Sequence, residues 1–135
     1  MNEDALPKKL GELADVVLAD PRWQQDDLTV QVFGMLLYGY AMAFGRTILF
    51  LDVEEIDAAV VRCVTEHVKA ALKWSSGLVA EANASAFNEA HHPGHFELIG
   101  VGHSYFTAKN KAAIIDDVFA NIGVYQQHAR RSRKS

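Results

Sequence analysis

The feature that most limits what this chain can become is a long apolar run. From Leu28 to Leu51 the residues are largely hydrophobic, and the stretch from Val32 to Gly45 contains no charged side chain. A helix that is apolar all round must be sheathed, either by other helices or by lipid. Gln31, Arg46 and Thr47 interrupt the run, and Gly34, Gly39 and Gly45 weaken it as a lone helix. The rest of the chain is amphipathic and needs something apolar to cover. A central core helix over about Asp26 to Phe44 meets both requirements, and no membrane span is expected.

The remaining apolar residues recur at helical spacing. Leu6, Leu10, Leu13 and Val17 form one stripe, opened by Asp4 and Pro7 and closed by Asp20-Pro21. Trp23 follows in a short connection that should dock on the core. Asp26-Asp27 place negative charge where a helix macrodipole favours it. Asp52 followed by Glu55 has capping-box spacing, with Leu51 and Ile56 as the hydrophobic staple. The stripe that follows is Ile56, Val60, Val64, His67, Val68, Ala71, Leu72 and Trp74, and Ser75-Ser76-Gly77 either breaks or bends it. Leu78 to Ala90 is predicted helical, with small residues at Ala80, Ala82, Ala84 and Ala86 that would admit a close neighbour. His91-His92-Pro93-Gly94 then ends that helix. Ile114, Ile115, Val118, Phe119, Ile122 and Tyr125 mark a last helix from near Lys109.

These elements predict an all-α protein, an irregular bundle of four to six helices. Two segments stay open. Residues 46–51 are either a helix continuation or a short extended piece, and 96–106 is either a loop or a short strand pair. Residues 1–129 read as one helical domain and 130–135 as a basic C-terminal tail.

Half of the residues are apolar, so the chain can bury a core and is not a disordered segment. The one cysteine, Cys63, excludes an internal disulfide framework and a multi-cysteine zinc site. The N-terminal residues lack the basic and apolar regions of a secretory signal, so a cytoplasmic location is expected. Charge is unevenly spread. Net charge is −4, but the last six residues carry four of the thirteen basic side chains, which leaves nine against seventeen acids before them. Residues 1–57 hold eleven acids against Lys8, Lys9, Arg22 and Arg46. An acidic body repels nucleic acid and anionic membrane and attracts cationic partners.

Several groups invite chemistry. His91, His92, His95 and His103 lie close in sequence, with Glu97 among them, and histidine is the commonest side-chain metal ligand. Against a metal stands the missing helical ligand spacing and the Pro-Gly turn between His92 and His95, which favours solvated or backbone-bonded turn residues beyond a helix end. A nuclease using the same group with Asn88 lacks a matched set of acids and histidines. Gly100-Val101-Gly102 has no phosphate-loop lysine after it and reads as tight-turn glycine. Cys63 with His67 four residues on lies on a buried stripe, where a thiolate is disfavoured. Ser104 beside His103 has no nucleophile-elbow context. Among the acids, Asp52 and Glu55 serve the helix start, whereas Glu54 and Asp57 should face solvent and stay free for a partner. Glu12 and Asp15 on the first helix are the next such candidates.

A compact acidic helical domain with no catalytic set resembles the small immunity proteins of interbacterial toxin systems, such as those paired with type VI secretion effectors. The resemblance covers length, helical content, lack of a signal sequence and acidic surface. It implies stoichiometric binding to a cognate toxin domain with a cationic surface, blocking its active site or its substrate's access. It implies no cofactor and no chemistry of the chain's own, and it leaves self-association open. Two other classes compete. One is a small metal-binding or hydrolytic enzyme centred on His91, His92, His95 and His103, and the other is a helical adaptor without a toxin partner.

Overall fold

The computed structural model describes the backbone of residues 4–134 and the side chains of 4–131. Within them lie six α-helices, two single 3-10 turns and no strand. In order they are α1 (Ala5–Ala19), α2 (Asp27–Thr47), α3 (Val53–Glu66), α4 (Leu72–Ala86), the 3-10 turn Glu89–His91, α5 (Pro93–Ser104), the 3-10 turn Tyr105–Thr107 and α6 (Lys111–Lys134).

The apolar run is the axis of the bundle. Asp26 caps α2 by accepting a hydrogen bond from the Thr29 amide at 2.8 Å, which satisfies one of the donors a helix start leaves open. Phe33, Met35, Leu37, Tyr38 and Ala41 are fully buried, and every other helix packs against α2. By length and composition α2 could cross a bilayer, yet 78% of its most apolar window is buried by protein. The closest approach in the fold is between α2 and α5. A Cβ placed on Gly39 would stand 1.9 Å from the Ile99 carbonyl oxygen, and one on Gly102 would stand 1.9 Å from that of Leu36. The two glycines let the helix backbones touch.

Around this axis the stripes fall as their spacing requires. Leu6, Leu10, Ala14 and Val17 of α1 are fully buried. Trp23 packs edge-on to Phe33, with ring centroids 5.7 Å apart. Asp52 and Glu55 form the full capping box, and Ile56, Val60 and Val64 of α3 are fully buried. In α6, Ile114, Ile115, Val118, Phe119 and Ile122 are buried and Tyr125 is half-buried.

The structure corrects several expectations. Residues 46–51 are not extended. The end of α2 runs into a tight terminal turn in which Phe50 adopts the left-handed conformation (φ 56°) and the Leu51 amide bonds the Gly45 carbonyl at 2.9 Å. Nor is 96–106 a strand pair or loop, because α5 and the following 3-10 turn cover it. Gly100 and Gly102 lie inside that helix, and Gly102 serves close approach to α2 and not a turn. His91-His92-Pro93-Gly94 opens α5 instead of ending α4: the His92 side chain caps it and Pro93 takes the first-turn position that proline favours. The break between α3 and α4 falls at Lys69 (φ 69°), not at Ser75-Ser76-Gly77, which α4 runs straight through. Both ends repeat one hydrogen-bond pattern: Leu49 to Phe44 and Leu51 to Gly45 at one, Val68 to Cys63 and Ala70 to Val64 at the other. As a result Leu72 is 62% exposed, and His67 and Trp74 are only half-buried. The basic residues from Arg130 continue α6 as helix to Lys134.

Candidate functional site

The densest polar constellation lies where α4, the 3-10 turn Glu89–His91 and α5 meet over α2. Glu81 projects from α4, and its carboxylate stands 3.0 Å and 3.1 Å from His91 Nε2 and 3.3 Å from His95 Nδ1. His95 is 6% exposed, and its Nε2 lies 3.2 Å from the Gln31 amide nitrogen on α2. His92 Nδ1 accepts the His95 amide hydrogen at 3.0 Å, and its ring lies flat on that of His95 with centroids 3.4 Å apart. Burial, and then the neighbouring His92, hold the His95 imidazole below its ordinary pKa. The hydrogen bond from His91 holds the Glu81 carboxyl below the usual carboxylate range.

His103 does not join this cluster. It is exposed and lies eight positions further along α5, roughly 12 Å by helical rise. Among the described residues no group of three His, Cys, Asp or Glu side chains takes up a metal-holding arrangement, so the four histidines are not brought together as a ligand set. Of the expected solvated or backbone-bonded turn residues, His92 is backbone-bonded as a helix cap and His91 and His103 are exposed, whereas His95 is buried. Glu81 and Gln31 are the partners sequence reasoning missed. Each is remote in the chain from the histidines, and no local spacing marks them.

Other suggested chemistry is absorbed by structure. Burial pushes the Cys63 thiol up to about 12, with Asp15 and Glu66 adding to it, which leaves no thiolate at neutral pH. Its neighbour His67 turns instead to Asp15, with Nδ1 2.8 Å from the carboxylate. Asn88 caps the 3-10 turn through the Ala90 amide, and the Ser104 hydroxyl donates to the Val101 carbonyl.

The four acids expected to meet a partner are scattered. Glu12 is exposed and lines a crevice between α1 and α6 with Lys9, Val16 and Ile114. Asp15 is exposed but points along α1 to the far end of α3, where His67 holds it. Glu54 is exposed in the first turn of α3. Asp57 is the exception, and the expectation of a free solvent-facing carboxylate is wrong there. It accepts hydrogen bonds from the Tyr38 hydroxyl at 2.6 Å and from the Asn83 side-chain amide at 2.9 Å. The reason is geometric: α3 is flanked by α1 and α4 as well as seated on α2, so a position beside its apolar stripe also faces protein. Burial first, then the Asp57 carboxylate, raises the Tyr38 phenol above its ordinary value.

Glu54 has a neighbour that the sequence did not single out. Phe50 is 84% exposed and is held in the left-handed region, which costs a side-chain-bearing residue about 1–2 kcal/mol. Ile48 beside it is 49% exposed, and Asp52, Glu54 and Glu55 stand exposed at the start of α3, with Arg46 before them. The α2–α3 corner therefore presents an exposed aromatic beside a crevice lined by Arg46, Leu51, Asp52 and Val53, with Glu54 and Glu55 exposed in the helix turn that follows. The left-handed turn itself is a common helix end and recurs at Lys69, but exposed aromatic surface disfavours the isolated molecule and is commonest where another surface is met. Comparison with protein-family models, with characterised proteins and with solved structures finds no match to the chain.

Proposed function

We propose that this chain is a non-catalytic, immunity-type protein that binds a cognate bacterial toxin domain with a cationic surface and blocks its active site. The observation that carries the reading is Phe50, exposed at the α2–α3 corner. An exposed aromatic side chain is a suitable interface anchor, and the acids at the start of α3 steer a cationic partner toward it. Glu54 is exposed in the first turn of α3, four residues after Phe50, whereas Glu12 and Asp15 lie on α1 and contribute long-range attraction. The excess of acids in the first half of the chain argues for a protein partner over nucleic acid or an anionic membrane.

The test is co-expression with the toxin domain encoded by the adjacent gene, reading both complex formation and protection of the host cell. The wild-type chain should bind and protect. Phe50→Ala should weaken binding by about 2–4 kcal/mol, roughly thirty- to a thousandfold. Glu54→Lys should slow association, most at low salt. Binding without protection would make the chain a helical adaptor. Unchanged affinity in both variants, with helix content preserved, would remove the corner from the interface.

A further inference from the structure

The cluster around His95 is independent of that corner. We infer that His92, His95 and Glu81 form an acid-sensitive latch on the start of α5, closed while both rings are neutral and released when they are protonated. His92 caps α5 through Nδ1, which can accept the His95 amide hydrogen only while that nitrogen carries no proton. The Gln31 amide nitrogen facing His95 Nε2 makes that nitrogen an acceptor, which places the His95 proton on Nδ1, toward Glu81. A proton added to either ring thus removes a hydrogen-bond acceptor.

The surrounding groups do not compensate. The 3-10 turn contributes His91, α4 contributes Glu81, α2 contributes the uncharged Gln31, and α5 itself contributes the stacked His92. From α6 comes Tyr125, whose hydroxyl donates to the Gly94 carbonyl at 3.3 Å and which feels Glu97 of α5. One carboxylate therefore serves two imidazoles, is engaged chiefly by His91, and makes no hydrogen bond to His92. Two imidazolium rings stacked with centroids 3.4 Å apart would repel, and both sit at a helix N-terminus, where the macrodipole disfavours cations.

The sign follows from proton uptake. Buried His95 stays neutral below the ordinary histidine pKa, so as pH falls through about 6.5 the opened chain binds protons that the closed cluster does not. The closed form is fully favoured above that pH and is lost progressively below it. Opening should stay local to about residues 87–97, because the Gly39 and Gly102 contacts that seat α5 on α2 involve no titrating group.

Amide hydrogen exchange on the full chain reads this directly. After correction for intrinsic rates, protection at the His95 and Phe96 amides should fall about tenfold between about pH 7.5 and about pH 5.5, while the α2 amides keep theirs. His92→Asn keeps a capping oxygen that cannot titrate, and with His95→Gln it should reduce the change to less than about twofold. Nitrogen-15 shifts of the wild-type rings at the higher pH should show His92 Nδ1 unprotonated. Equal protection at the two pH values in the wild type, a full loss in the double variant, or a protonated His92 Nδ1 would overturn the latch.

Discussion

Glycine-to-alanine substitution inside a helix normally stabilises, by about 1 kcal/mol, because alanine loses less backbone entropy on folding. Gly39 and Gly100 both lie within helices, and the structure assigns their alanine variants opposite signs. At Gly100 an added Cβ meets nothing within 4 Å, so Gly100→Ala should gain about 0.5–1 kcal/mol. At Gly39 the new Cβ would stand 1.9 Å from the Ile99 carbonyl oxygen and 2.8 Å from the His103 amide nitrogen, both backbone atoms that cannot swing away. Reaching a normal carbon–oxygen contact of about 3.3 Å requires α2 and α5 to part by more than about 1 Å, and a gap of that size forfeits about half or more of each facing dispersion contact. Overpacking of this kind costs about 1–3 kcal/mol and sometimes more, which outweighs the propensity gain. Gly39→Ala should therefore be about 1–2 kcal/mol less stable than the wild type, a fall of about 4–7 °C in Tm for a chain of this size. Gly102→Ala opens the same seam from the other side, so the double variant should lose less than the sum of the two. Urea unfolding followed by circular dichroism measures the wild type and all four variants. A Gly39→Ala variant as stable as Gly100→Ala would refute the backbone contact between α2 and α5.

Two further outcomes follow from buried groups. Asp57→Ala should cost about 1–3 kcal/mol in urea unfolding, because it strands the Tyr38 hydroxyl and the Asn83 amide, whereas an exposed carboxylate in the same helix, Glu54, should cost less than about 0.5 kcal/mol; equal effects would return Asp57 to the surface. Cys63, buried and with its thiol pushed up to about 12, should react with a disulfide reagent at about pH 8 at least a hundredfold more slowly in the native protein than in denaturant, and fast native labelling would contradict its placement.

The distinction between Glu54 and Asp57 bears on function. Reversing both charges together would confound loss of a partner with loss of the Tyr38–Asp57–Asn83 linkage that ties α2, α3 and α4. The Phe50 corner separates the two effects, because a side chain 84% exposed contributes little to the fold that it can lose.

What the sequence determined by itself is what near neighbours determine. The all-round apolar run became the central helix, Asp26 and Asp27 stand at its start, Asp52 and Glu55 closed a capping box, and the last stripe became the buried face of α6. Helical period and capping act over three or four residues, so they are written locally. The tertiary structure decided the rest. Phe50 and Lys69 end their helices in a conformation that glycine usually marks, so neither break carried a local sign. Gly100 and Gly102 resemble turn glycines in sequence, and only the arrival of α2 shows that Gly102 is there for backbone contact. Asp57 turned inward because α4 covers the flank of α3, and His95 was buried because Glu81 and Gln31 reached it from two other helices. These outcomes depend on which faces meet across the bundle, and that is settled by the packing of all six helices at once, not by any window of the chain.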